Sequence, residues 1–308
     1  MEASITLKSV GKTIGKNILL ADLSFGVEKG STFVLIGENG SGKSIILRLL
    51  VGLIEKDTGS LYIHGKDVST RSISTRSICG YMPQVVNLDD EVTVKENLII
   101  YGKLHGLKNN RIIKNIKHWS EVLGFSEYLN YLPYDLSYGY QKLVLFARCL
   151  IHEPEVLLLD EPTSGMDPGS RNRLWNVIDK IYKDKTIIFA SQNFTEAERY
   201  SDRIAILHNG NIKMDGNLEK LIESTHGLTR YSITFSESIS EEFMNQLKSF
   251  PRVKNPKLKG LELEFYSRER KQFFNVLKLA IDYGLSDLDT SICSLRDLYL
   301  GLTEGGLE

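Results

Sequence analysis

Long apolar runs are missing from this sequence of 308 residues. A membrane-crossing helix needs about 20 consecutive apolar residues. The longest candidates, at 143–151 and 156–159, are short and interrupted or bounded by charge. The start, Met1-Glu2-Ala3-Ser4-Ile5-Thr6-Leu7-Lys8, carries an acid early and no apolar core segment, so it does not read as a secretory leader. An excess of either charge is missing too: 38 Lys and Arg face 39 Asp and Glu, a formal net charge of −1. A surface that coats nucleic acid needs a basic excess to displace counterions, so no nucleic-acid partner is expected. A local basic site for a small anion stays open. Cysteine is scarce. Cys79, Cys149 and Cys293 are widely spaced, form no CxxC pair and read as the reduced thiols of a cytosolic protein. What is present is an ordinary globular balance, 42% hydrophobic and 25% charged, enough to bury a sizeable core.

Ile5 and Leu7 alternate with polar residues, and 19–27 is a second apolar-rich segment ending at Glu28-Lys29-Gly30. Thr32-Phe33-Val34-Leu35-Ile36 is the continuous run of a strand buried on both faces. A glycine-rich loop follows, then a buried helix over 45–50, a hairpin-like 59–65 and a short strand at 78–82. From about 92 to 151 the apolar spacing turns helical, with Ile112, Ile113, Ile116, Trp119, Val122 and Leu123 recurring every three or four residues. Strands return at 156–159 and 186–190 with a helix over 171–182 between them, and Asn209-Gly210 centres a closing hairpin. Past a polar linker at 223–227, strands around Tyr231, Ile233, Phe235 and around Leu261, Leu263, Phe265 mix with helices around Phe243, Phe273 and Leu298. The expected division is a first domain over 1–227, with a helical subdomain over about 85–152, and a small α+β domain over 228–308.

Gly37-Glu38-Asn39-Gly40-Ser41-Gly42-Lys43-Ser44 is a complete G-x-x-x-x-G-K-[ST] phosphate loop between a strand and an apolar helix that continues at Ile45. Glycines let the backbone curl so that successive N–H groups converge on phosphate oxygens, backed by a helix N-terminus. Such a string should arise by chance in ~1 of 100 chains this long, and the required strand and helix flank it. Lys43 is expected on the β- and γ-phosphates and the Ser44 hydroxyl on Mg²⁺. Val156-Leu157-Leu158-Leu159-Asp160-Glu161 is a buried strand ending in two carboxylates. Asp160 is expected in the Mg²⁺ shell; Glu161, one residue on, is expected to face the other way and polarise the attacking water. The cofactors read from these residues are ATP and Mg²⁺.

Between the two motifs lies Leu136-Ser137-Tyr138-Gly139-Tyr140. With it, with Gln84 in Tyr81-Met82-Pro83-Gln84 and with Ser164-Gly165-Met166-Asp167, the chain resembles the ATP-binding cassette (ABC) transporter ATPases over about residues 3–220. The resemblance implies an α/β P-loop NTPase cassette with an antiparallel β subdomain and an inserted helical subdomain, plus a small C-terminal α+β domain. It implies an ATP-hydrolysing subunit that powers export through a separate integral-membrane subunit, at the inner face of the membrane. It also implies a second cassette chain, identical or different, closing head to tail. Carried over, Ser137 and Gly139 serve the partner's ATP, Gln84 senses Mg²⁺ and moves the helical block, and Asp167 links the two sites. The helical block, around Val85, Val86 and Leu88, is the expected docking groove for the membrane subunit. The last segment, Ser294-Leu295-Arg296-Asp297-Leu298-Tyr299-Leu300, is similar to the accessory domain of the export-type branch.

Three positions depart from the family pattern. Tyr138 replaces the first glycine of the signature pair, Ile14 stands where many cassettes carry an adenine-stacking aromatic, and Gln192 stands where a histidine usually touches the γ-phosphate. Gln192 is nonetheless the expected second catalytic group. Two other readings are a non-transport regulatory ATPase of the same family and a small-molecule kinase on the same loop. The first usually carries either two phosphate loops or a long coiled-coil insertion between loop and signature, and neither is visible. The second has no need of the 136–139 signature.

Overall fold

A long antiparallel hairpin, β1 (Ala3–Ile14) and β2 (Asn17–Glu28), opens the chain and turns at Gly15, whose φ of +61° suits glycine. Ile5, Leu7, Val10, Leu20, Leu23 and Val27 point inward while Lys8, Ser9, Asp22 and Ser24 face water, the alternation of a half-buried sheet. The computed structural model describes residues 3–69, 72–181, 184–223, 229–239, 241–250, 253–267, 269–292 and 294–303. After the hairpin come β3 (Thr32–Ile36), α1 (Lys43–Leu50), β4 (Thr58–Ile63), β5 (Lys66–Asp67), α2 (Ile73–Arg76) and β6 (Cys79–Met82). His64 and Gly65, both at positive φ, make the tight β4–β5 turn.

Three helices then interrupt the strands: α3 (Val94–Leu104), α4 (Asn109–Leu123) and α5 (Tyr138–Leu150). A reciprocal Thr93–Glu96 capping box starts α3, and Gly124 in the left-handed region ends α4. The chain returns through β7 (Val156–Asp160), α6 (Pro168–Ile181), β8 (Thr186–Ser191), α7 (Phe194–Tyr200), β9 (Arg203–His208) and β10 (Asn211–Gly216). Proline at the first position of α6 explains why it starts ahead of the expected residue 171; Tyr182, its expected end, lies outside the described residues.

The strands form two sheets. One has the order β10-β9-β3-β8-β7-β6, with parallel pairing from β6 through β7, β8 and β3 to β9. Every residue of β3, β7 and β8 is buried, as the unbroken apolar runs require. The other is antiparallel, β2-β1-β4-β5. A single apolar cluster joins them, drawing Leu7, Phe25 and Leu61 from the small sheet, Leu35, Leu158 and Ala205 from the large one, and Ile46 and Leu50 from α1.

The chain divides into Met1–Asp215 and Gly216–Glu308. The division precedes the expected one at 227, because α8 (Leu218–Glu223) packs on α11 (Leu295–Thr303) of the second unit; the expected linker beyond Glu223 lies outside the described residues. Between these helices run β11 (Thr229–Phe235), α9 (Glu241–Ser249), β12 (Lys254–Lys259), β13 (Glu262–Ser267), α10 (Arg270–Asp282) and β14 (Leu285–Ile292). Their antiparallel order β12-β13-β11-β14 is a split βαβ unit. Tyr231, Ile233, Phe235, Leu263 and Phe265 form its core with Phe243, Leu247 and Val276. Cys79 and Cys149 are buried free thiols, and Cys293 lies outside the described residues.

Candidate functional site

Three parallel strands deliver their C-terminal ends to one edge of the large sheet. β3 runs into the phosphate loop, β7 ends at Asp160 and β8 ends at Ser191, one residue before Gln192. In the loop, Gly40 and Gly42 take φ of +81° and +109°, and a side chain on Gly37 would meet the Leu207 carbonyl at 2.3 Å. Gly42 caps α1 with no side-chain acceptor, and no acid stands in the first turn. The first N–H groups of α1 are thus left to an anion.

Lys43 is buried beneath the loop and donates to the carbonyls of Gly37 (2.6 Å) and Glu38 (2.9 Å); its Nζ lies 3.7 Å from Glu161 Oε1. Burial pushes its pKa down, opposed by the charges of Glu161 and Asp160. Ser44 donates its hydroxyl to Asp160 Oδ1 at 2.9 Å. Asp160 is fully buried, and its Oδ2 has no hydrogen-bond partner among the described residues, nor has Ser41 Oγ. Burial pushes the pKa of both Asp160 and Glu161 up.

Strand alternation puts Glu161 on the opposite face from Asp160, and here the structure differs. Glu161 sits at φ +46°, so its carboxylate turns back beside Lys43 and lines the cavity at the phosphate loop, while Asp160 stays buried behind Ser44. Gln192 Nε2 bridges from Asn39 Oδ1 (2.8 Å) to Glu161 Oε1 (3.2 Å). The resulting cavity, about 230 Å³, takes in Asn39, Gly40, Gly42, Lys43, Ser44, Ile45, Gln84 and Glu161. Leu19 also lines it; the sequence marked Leu19 only as a strand residue.

Ser137 and Gly139 lie elsewhere, at the start of α5. Ser137 Oγ caps the helix by accepting from the Tyr140 N–H (3.4 Å), and a side chain on Gly139 would meet Asp167 Oδ2 at 2.5 Å. The Tyr138 ring covers Gly165, where an added Cβ would meet it at 2.8 Å. Ile14, at the end of β1, is 55% exposed. In the expected docking groove Val85 is exposed and Val86 half-buried, but Leu88 is packed inside, fixed by the neighbouring Asp89–Asn97 hydrogen bonds that tie this loop to α3.

Two buried charges escaped the sequence reading. Lys142 donates to the carbonyls of Gln84 (2.7 Å) and Glu161 (3.2 Å), and burial pulls its pKa down to about 8. Glu196, in α7, accepts from Thr163 Oγ1 (2.7 and 2.8 Å) and Trp175 Nε1 (3.2 Å). A lone lysine entering the apolar stretch 143–151 was the only available signal for the first.

A phosphate loop, an uncapped helix N-terminus and two buried carboxylates at the strand ends define a nucleotide-binding P-loop protein. The family profile described as "ABC transporter" matches residues 20–164. The Nod factor export ATP-binding protein I of Rhizobium sp. (strain N33) is 32% identical over 308 residues, covering 100% of this chain and 99% of that one. A protein of the same name from Burkholderia lata is 34% identical over 226 residues, covering 73% of this chain and 74% of its own. Among solved structures, an ATP-binding subunit of an ABC transporter superposes with a TM-score of 0.68 at 26% identity, covering 72% of this chain and 93% of that one. A dimeric cassette bound to ADP and Pi superposes at 0.64 and 23% identity, covering 70% and 98%, and shows the same fold. The chain belongs to the ABC transporter ATP-binding family. It is an ATPase subunit of that family, whose members work with membrane subunits. No helix among the described residues is long and apolar enough to cross a membrane.

Proposed function

We propose that this chain pairs with a second cassette chain, hydrolyses ATP in the composite site so formed, and drives export through a separate membrane-spanning subunit at the cytoplasmic face of the membrane. The observation that carries the reading is the buried Asp160 oxygen that has no partner among the described residues, beside Ser44, Lys43 and Glu161. No three His, Cys, Asp or Glu gather to hold a metal among the described residues. A Mg²⁺ site needs only one or two carboxylates when phosphates supply the rest. Ser44, Asp160 and Gln84 would hold the ion, which supplies neutralising charge to the phosphate oxygens.

The chain's own groups do the remainder. The loop N–H groups and Lys43 bind the β- and γ-phosphates. Glu161, with its raised pKa, accepts the proton of the attacking water, and Gln192 orients it. Ser137 and Gly139, outside this chain's own cavity, serve the partner's nucleotide. The relatives' export names support the direction of transport.

Lys43→Ala removes a charged contact to phosphate, so ATP affinity by titration calorimetry should fall ~10–100-fold. Unchanged affinity would remove the loop assignment. Wild-type specific activity should rise with protein concentration before saturating, as a site shared by two chains requires. Activity independent of concentration would remove the composite site, and absence from membranes that contain the native complex would remove the transport role.

A further inference from the structure

Lys142 lies in the first half of α5, 0% exposed, among the apolar Leu143, Val144, Leu145 and Phe146. Its ammonium donates to two backbone carbonyls rather than to a carboxylate, and its remaining face looks onto the Tyr138 ring, 5.9 Å from the centroid. Burying a cation in this way is costly, and an apolar side chain of similar volume is often as stable or more so. What the charge holds therefore matters.

One of the two carbonyls belongs to Glu161, a non-glycine residue in the left-handed region at φ +46°. Such a backbone persists where its surroundings over-determine it. The Glu161 N–H donates to Ala190 O of β8 at 3.0 Å, and its carbonyl accepts from Ser164 N–H (3.2 Å) and from Lys142 (3.2 Å). The peptide that aims the carboxylate is thus pinned by the sheet at one end and by α5 at the other. The second carbonyl belongs to Gln84, whose residue lines the nucleotide cavity.

We propose that Lys142 is a positioning residue for hydrolysis. By clamping the Gln84 and Glu161 carbonyls to α5, it holds the backbone that aims the Glu161 carboxylate and makes that aim depend on where the helical block stands. The proposal rests on Glu161 being the group that activates water.

The test uses the full chain with MgATP and three variants, Lys142→Met, Lys142→Gln and Glu161→Gln, each checked for folding by thermal melting. With the carbonyl clamp gone, Lys142→Met should lose about tenfold or more in kcat, with KM and ATP affinity within about twofold of wild type. Lys142→Gln, which keeps one N–H donor, is read in the same way if the methionine variant does not fold. Unchanged kcat overturns the proposal. So does a parallel worsening of kcat, KM and affinity, or failure of both variants to fold, since each marks a merely structural lysine. Full turnover by Glu161→Gln would instead overturn the reading of Glu161 beneath it; an inactive Glu161→Gln beside an active Lys142→Met defeats the Lys142 proposal alone.

Discussion

Each unit of the chain buries an aspartate, and the two are satisfied differently. Asp297 in the second unit accepts from Tyr266 OH at 2.8 Å on one oxygen, and from the hydroxyl and N–H of Ser294 at 2.6 and 2.9 Å on the other. Ser294 Oγ in turn accepts from the Asp297 N–H at 3.3 Å, a reciprocal box at the start of α11. Asp160 in the first unit has Ser44 on one oxygen and no partner for the other among the described residues. A buried acceptor left open costs the fold roughly 1–3 kcal/mol. The closed carboxylate builds a helix start; the open one is the oxygen that the proposed function gives to a cation. The same contrast runs through the charges. Lys43, Lys142, Glu161 and Glu196 are all buried in the first unit, whereas Arg230 of the second pairs with Glu264 where both keep some contact with water.

The comparison breaks most sharply at Asp160→Asn. The amide keeps the shape and an acceptor for Ser44 but removes the charge a divalent cation needs. Turnover should fall by ~100-fold or more, the loss of a metal contact worth several kcal/mol. Nucleotide-free stability should hold or rise. The sign follows from the raised pKa: burial penalises the ionised carboxylate, so at neutral pH the fold carries that penalty and the amide does not. A stability loss with turnover intact would mean that Asp160, too, is only a structural group. Asp297→Ala is the converse. It strips the α11 box and leaves Ser294 and Tyr266 without their acceptor, so chemical denaturation should show a loss of ~1–3 kcal/mol. ATP affinity should stay within about twofold, and a larger change would connect the second unit to the nucleotide.

The parts legible in the sequence are those whose physics is local. The phosphate loop can be read because left-handed positions such as Gly40 and Gly42 demand glycine and because the phosphate-facing lysine must follow at fixed spacing. The buried strands can be read because sheets covered on both faces need unbroken apolar runs. Glu161 was found but misaimed, since alternation assumes an extended backbone and its φ is +46°. Lys142 and Glu196 were missed because their partners, Gln84 and Glu161 for one, Thr163 and Trp175 for the other, are far away in the chain. β12 and β14 were missed for another reason. Both are edge strands, and edges carry the charges and proline that discourage further pairing, here Lys254, Pro256, Lys257 and Lys259 on one and Asp287 and Asp289 on the other. Those residues erase the apolar alternation by which a strand is recognised.

Gln192 lies between the two cases, and a substitution there should have the smallest effect. Its amide nitrogen carries two hydrogens, and the structure places both, one on Asn39 Oδ1 and one on Glu161 Oε1. It is closed like Asp297 yet stands beside the nucleotide cavity, so donating to a phosphate oxygen means releasing either the Asn39 amide or the Glu161 carboxylate. Exchanging one hydrogen bond for another changes the ground state little. An amide also cannot become cationic, so charge developing on the transferred phosphoryl group gains less from it than from a protonated imidazole. A histidine at this position has one N–H when neutral, gives up one of the two bridges, and can carry a positive charge beside Glu161. Gln192→His in the reconstituted complex, with ATP saturating, should therefore raise kcat several-fold and leave KM within about twofold. Unchanged or lower kcat would mean that the Asn39–Gln192–Glu161 bridge is itself what orients the base, and that the site is built around an amide.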